Sequence, residues 1–187
     1  MLAKINSYAL SGLDGYGVSV EVDIHSGLPS IDVVGLPDTA IKESRERVRS
    51  AIKNSGYDFT PRKITVNLAP AHTKKEGSVF DLAIALGILC ATEQAGIDEH
   101  KRPLKLIDDY VFLGELSLSG KIQRINGVMP ILISARERGG KKFVIPKANA
   151  NEAKYIRGVE VYAVDSLREA IALLDGQSGQ PLVGSDI

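Results

Sequence analysis

Hydrophobic and polar positions alternate most regularly near the amino terminus. In GVSVEVDIH, Val18, Val20, Val22 and Ile24 alternate with polar neighbours, the pattern of a strand with one buried face and antiparallel partners. SIDVVGL is a shorter apolar run that ends at Gly35 and reads as a further strand. Pro37 and Asp38 then open a helix that runs to about Ser55, with Asp38 suited to the N-cap and Gly56 to the stop. Its apolar line is thin, made of Ile41, Val48 and Ile52 with Ala51 beside them. The rest of its surface carries Lys42, Arg45, Arg47, Arg49 and Lys53 against Glu43 and Glu46. KITVNLAP follows as the next strand.

From Val79 to about Gln94 the chain is apolar on nearly every side, which predicts a central, fully buried helix. The charged segment GIDEHKRPLKLIDD shows no periodicity and reads as a loop. YVFLGELSLSGKIQRING contains two strand-like runs around Ser119-Gly120, the signature of a hairpin. Beyond it the order is helix (Val128 to Arg138), strand (KFVIP), helix (Asn149 to Ile156), strand (VEVYAV) and helix (Ser166 to Leu174). Such alternation predicts parallel strands joined by right-handed crossovers. The fold class is therefore α/β, in the α+β sense: antiparallel strands first, then an alternating β/α region.

The 187 residues include 44% hydrophobic ones, enough for a real core. The 23 basic residues balance the 23 acidic ones, so any attraction to nucleic acid must come from a local patch. One cysteine, Cys90, lies inside the apolar helix and reads as a buried thiol in a reducing compartment. The amino terminus lacks the pattern of a secretory signal, and Leu82 to Ala91 is about half a bilayer span. A cytoplasmic protein without membrane contact is expected. GQSGQPLVGSDI has the composition of a linker, so residues 1–175 are expected to form one domain and 176–187 to lead toward another.

Several chemistries can be weighed on these residues. His25, His72, His100 and Cys90 are too far apart for metal-ligand spacing. No GxxxxGK[ST] motif occurs, so no phosphate loop is expected in this chain. GLDGYG leads into a strand and reads as a hairpin turn rather than a nucleotide fingerprint. Ser78 has two readings. As a nucleophile it needs a base, yet Lys74 and Lys75 belong to a polar loop where water would keep them charged. As a cap it begins the S-x-x-D box Ser78-Val79-Phe80-Asp81, with Asp81 reaching back to the N-cap amide, and this reading is favoured. Gly77 with Lys74 and Lys75 would suit an anion, although Asp81 already answers the helix dipole. The basic helix face is either a solvated surface or one that faces DNA or a partner.

Three blocks carry a resemblance: SGLDGYGVSVEVDIHSGLPSIDVVGLPDTAIKESRERVRSAIKNSG, KITVNLAPAHTKKEGSVFDLAIALGIL and FLGELSLSGKIQRINGVMPILISARERGGKKFVIP. They resemble the N-terminal domain of the ComM/YifB proteins, also called Mg-chelatase-like AAA+ ATPases, over almost the whole chain. The resemblance implies a Lon-protease-like fold, shared with a ribosomal-protein domain, placed ahead of an AAA+ motor. ATP and Mg2+ would belong to that motor, beyond residue 187, and no cofactor to these residues. Lon-type domains carry a catalytic serine in K-D-G-P-S-A-G and a catalytic lysine in G-G-L-K. Aligned on Lys75-Glu76-Gly77 the serine position falls on Val79, and aligned through FVIP the lysine position falls on Met129. Both members of the dyad are missing, so the resemblance implies a chain that is not itself an enzyme, with Ser78 a cap.

RadA recombination proteins carry a similar degenerate domain that helps build a ring and contacts DNA, and ComM proteins are understood as ring helicases that drive branch migration during natural transformation. By that resemblance the expected partners are the protein's own AAA+ domain, further copies of itself in a ring, expected to be a hexamer, and DNA. The candidate DNA contacts are Arg45, Arg49 and Lys53 of the basic helix with Lys74 and Lys75 of the loop, and a second cluster of Arg136, Arg138, Lys141 and Lys142. The rival readings are an active Ser/Lys peptidase and a protein-interaction module without DNA contact.

Overall fold

The computed structural model describes residues 1–176 and 181–182; the linker expected over 176–187 lies almost wholly outside them. Strands β1 (Leu2–Ser11) and β2 (Asp14–His25) form a long antiparallel hairpin. The GLDGYG turn closes it with Gly12 and Leu13 between the paired residues Ser11 and Asp14. Gly12 has φ +64°, the sign that the first position of a type II′ loop requires and glycine supplies without strain. β3 (Ser30–Val34) leads into α1 (Thr39–Asn54), which Asp38 caps by accepting from the Ile41 amide at 2.9 Å. β4 (Lys63–Ala69) and α2 (Asp81–Ala91) follow.

The segment expected to be a hairpin divides. β5 (Tyr110–Phe112) joins the main sheet, whereas β6 (Glu115–Leu116) and β7 (Ile122–Gln123) form the small antiparallel ribbon around Ser119-Gly120. The remainder is α3 (Val128–Glu137), β8 (Lys142–Pro146), the short α4 (Ala150–Ala153), β9 (Glu160–Val164) and α5 (Leu167–Leu174). The charged loop holds one 3₁₀ turn, Lys105–Asp109.

The main sheet has seven strands in the order β3-β4-β2-β1-β5-β8-β9. Its amino-terminal half pairs antiparallel, except that β3 lies parallel to β4. Its carboxy-terminal half, β1-β5-β8-β9, is parallel. The expected antiparallel strands and the parallel region after them are therefore both present. One core lies on the side of α1, α2 and α5, where Ile5, Val20, Val22, Val66 and Leu68 meet a helix α2 buried at every position. The second lies on the side of α3 and α4, around Tyr8, Leu113, Phe143 and Val161. α2 begins at Asp81 rather than Val79, because the residues before it are spent on tertiary contacts that organise the site.

Candidate functional site

After Ala69 the chain loops back along the turn that follows β3. The Lys75 amide donates to the Leu36 carbonyl at 3.0 Å, and the Asp38 amide donates to the Lys75 carbonyl at 3.1 Å. The Asp38 carboxylate, besides capping α1, accepts from the Gly77 amide at 3.0 Å. This pairing draws the Lys75 side chain inward, where it is 0% exposed. Its ammonium donates to the carbonyl of Gly35 at 2.8 Å and to that of Pro70. Burial pushes its pKa below the ordinary lysine value. The expectation of a hydrated Lys75 available to DNA is thus corrected: two main-chain carbonyls have replaced its water shell. Lys74 beside it stays exposed.

Ser78 is not the cap of α2. Its hydroxyl donates to Glu115 Oε2 at 2.5 Å, and no side chain caps the helix. Asp81 does not reach back to an N-cap amide either. Its carboxylate, 0% exposed, accepts from Arg47 Nε at 2.7 Å, from Arg47 Nη2 at 3.1 Å and from the Leu116 amide at 3.1 Å. The capping box is redundant because the link between β5 and β6 supplies the partners: the Leu82 amide donates to the Gly114 carbonyl at 3.0 Å, and the Gly114 amide to the Val79 carbonyl at 3.0 Å. Burial pushes the Asp81 carboxyl up against the pull of Arg47, Ser44 and the Leu116 amide, while Asp81 holds the Arg47 guanidinium above its usual value. The two shifts oppose each other; the 2.7 Å contact makes a charged pair the better description at neutral pH.

Ser78, Val79, Glu115, Arg124 and Asn126 line a cleft of about 480 Å³ between the loop and α3. Its chemistry is that of a hydroxyl tied to a carboxylate. The degenerate dyad positions are apolar and packed: Val79 touches both cores and Met129 packs against the second. Arg124 donates to the Ala148 carbonyl at 3.4 Å and meets Glu152 at 3.9 Å. Glu115, the partner of Ser78, had no signal in the sequence, since 37 residues separate the two.

The basic candidates divide between the two layers of the fold. Arg45, Arg49 and Lys53 follow one another at four-residue intervals on α1, one face of the helix. Arg45 and Lys53 are exposed; Arg49 meets Glu46 at 3.5 Å and lies 5.8 Å from the Phe59 ring centroid. On the other layer, Arg138, Lys141 and Lys142 line a broad groove of about 940 Å³, which Asp108 and Asp109 also line. Arg136 donates to the Arg157 carbonyl at 2.9 Å, and Lys142 meets Glu160 at 4.0 Å. Sequence reasoning passed over Arg62, an exposed cation beside Phe59, although the run DFTPRK contains it.

Residues 20–149 match the family described as subunit ChlI of Mg-chelatase. The chain belongs to that family. It is 37% identical to the competence protein ComM of Haemophilus influenzae, over 97% of this chain and 34% of that one. It is 39% identical to the uncharacterized protein YifB of Escherichia coli, over 94% of this chain and 33% of that one. Lon protease 2 of Bacillus subtilis is 33% identical over 70% of this chain and 22% of its own length, in keeping with the α/β fold. The chain thus spans about a third of the ComM and YifB relatives. Among the described residues no helix is long and apolar enough to cross a membrane.

Proposed function

We propose that residues 1–187 form a non-catalytic domain of a ComM-type, Mg-chelatase-like AAA+ ATPase that supports ring assembly, as a hexamer, and engages DNA during branch migration in natural transformation. Nucleotide hydrolysis, with ATP and Mg2+, belongs in this reading to a motor domain outside these residues, and the protein works in the cytoplasm. The observation that carries the non-catalytic reading is the fate of Ser78: its hydroxyl is donated to Glu115, and the neighbouring Lys75 spends its ammonium on two carbonyls. In a Ser/Lys dyad the lysine amine takes the serine proton, and the lysine position of the dyad is filled by the packed thioether of Met129. What supports DNA engagement is the row of Arg45, Arg49 and Lys53 on α1, of which only Arg49 meets an acidic partner among the described residues, together with the ComM relative.

Oligonucleotide binding by the purified chain, followed across a salt titration, tests the reading alongside labelling with a serine-reactive probe. Binding that weakens steeply with salt, without labelling at Ser78, is expected. Covalent labelling of Ser78 that is lost in Ser78→Ala would refute the non-catalytic assignment. Absence of oligonucleotide binding even at low salt would refute direct DNA engagement and favour a protein-interaction role.

A further inference from the structure

Where α1 ends, the chain turns through Tyr57 and Phe59 and enters β4 at Lys63. The turn encloses a concavity of about 290 Å³, with Phe59 in its lining, Pro29 and Pro61 at its sides, and Arg49, Lys53 and Arg62 around it. No acidic residue lines it. Asp58, next to Phe59 in the chain, lines the neighbouring hollow instead. Among the described residues the only ion pair made by Arg45, Arg49, Lys53 or Arg62 is the one between Arg49 and Glu46. Three cations with one acidic contact on a chain of zero net charge are a local concentration of positive potential.

The concavity continues a longer feature. Arg45, Arg49 and Lys53 are spaced by about 6 Å along the helix axis, four residues at ~1.5 Å each. A row of cations thus runs down α1 and ends in the cup. Phe59 is half-buried and packs its ring on the core, so the ring is fixed in place; Arg49 is held near it. A fixed aromatic ring ringed by cations suits an unpaired nucleotide, with a phosphate on the guanidinium and ammonium groups and a base against the ring. A cup of this size admits one phosphate and part of a base and excludes a duplex. The broad groove on the other layer lacks this character, since Asp108 and Asp109 share its lining with the cations.

We infer that Arg49, Lys53 and Arg62 around Phe59 form a phosphate-binding cup for single-stranded nucleic acid, entered along the Arg45–Arg49–Lys53 row. This deepens, and rests on, the DNA-engaging reading above, and it adds two residues, Phe59 and Arg62, that the sequence did not single out.

The test uses the 187-residue chain and a labelled single-stranded oligonucleotide, with fluorescence anisotropy at several salt concentrations. Arg62→Glu and Lys53→Glu are each expected to weaken binding at least about fivefold and to lower the salt slope by roughly one. Phe59→Leu, which keeps an apolar side chain against the core, should weaken it by a similar factor through lost stacking. Unfolding curves of each variant, matched to the parent, exclude misfolding as the cause. If the parent binds and only Arg138→Glu and Lys141→Glu weaken it, the cup is refuted while DNA engagement stands. A parallel titration with inorganic phosphate, read by NMR shifts at residues 49, 53, 59 and 62, separates the two ideas further. Shifts confined to the cup without oligonucleotide binding would support the anion site and refute the DNA reading; neither shifts nor binding would refute both.

Discussion

Replacing Asp81 with alanine removes the anion that holds Arg47 against the start of α2. The carboxylate is fully buried and takes three donors, two from Arg47 and one from the Leu116 amide. Removing one partner of a buried pair costs about 3–5 kcal/mol, most of it from the charge left behind. Arg47 is 21% exposed and keeps the Ala40 carbonyl and the Ser44 hydroxyl as partners, so part of that penalty is relieved by water. An expected loss of about 3 kcal/mol follows. For a domain of this size it lowers Tm by roughly 6–12 °C, at about 2–4 °C per kcal/mol. Calorimetry or a urea melt of Asp81→Ala measures the loss directly. Arg47→Met with Asp81→Leu removes both charges together, and the double variant should recover most of the stability lost by either single one. If the single variant costs under about 1 kcal/mol, or if the two losses simply add, the pair is not a coupled buried interaction and the reasoning fails.

Ser78→Ala should cost about 1.5–3 kcal/mol by removing a hydrogen bond to a charged group, and Ser78→Asp should cost more than alanine, because it sets a second carboxylate against Glu115; a melt in which aspartate rescues alanine would restore the capping reading. Gly35→Ala should destabilise by at least about 2 kcal/mol in the same assay, since its Cβ would lie 2.3 Å from the Leu68 carbonyl oxygen at φ +102°. Lys75→Met removes a buried amine whose pKa is lowered by burial. A lowered folded-state pKa means that the parent gains stability as pH rises from that value toward the ordinary 10.5, and loses it as pH falls back. The stability difference between parent and Lys75→Met should therefore move in favour of the parent across that interval in urea melts, and a shift in the opposite direction would contradict the assignment.

Elements whose causes are local were legible in the sequence. Asp38, Gly56 and the thin apolar line were enough for α1, the valine alternation for β2, and a helix apolar on all sides for a buried α2. The site was less legible because its partners are distant. S-x-x-D is a local pattern, and it failed at Ser78 and Asp81 when Glu115 and Arg47, 37 and 34 residues away, took those side chains first. Lys75 looked solvated because neighbouring residues are polar, whereas the turn after β3 sets its environment. The parallel pairing of β3 with β4 follows the same strand–helix–strand order that marks the carboxy-terminal region, but the neighbouring antiparallel alternation of β2 masked it.

The two halves of the sheet meet at a narrow seam. β1 is paired with β2 along its whole length but with β5 only at Asn6 and Val111. Two side-chain bonds reinforce the join, Asn6 to the Asp108 carbonyl and the buried Ser7 hydroxyl to the Phe112 carbonyl, the latter across 105 residues of chain. The hairpin β1–β2 closes locally and can form early, while the seam must wait for a distant strand to arrive. Native-state hydrogen exchange should accordingly resolve two cooperative units, with the β5-β8-β9 amides opening at lower free energy than those of β1, β2 and α2. In mechanical terms the seam is the join of the sheet with the fewest ladder pairs, and a load applied at the carboxy-terminal half is expected to part the sheet there before it disturbs the hairpin.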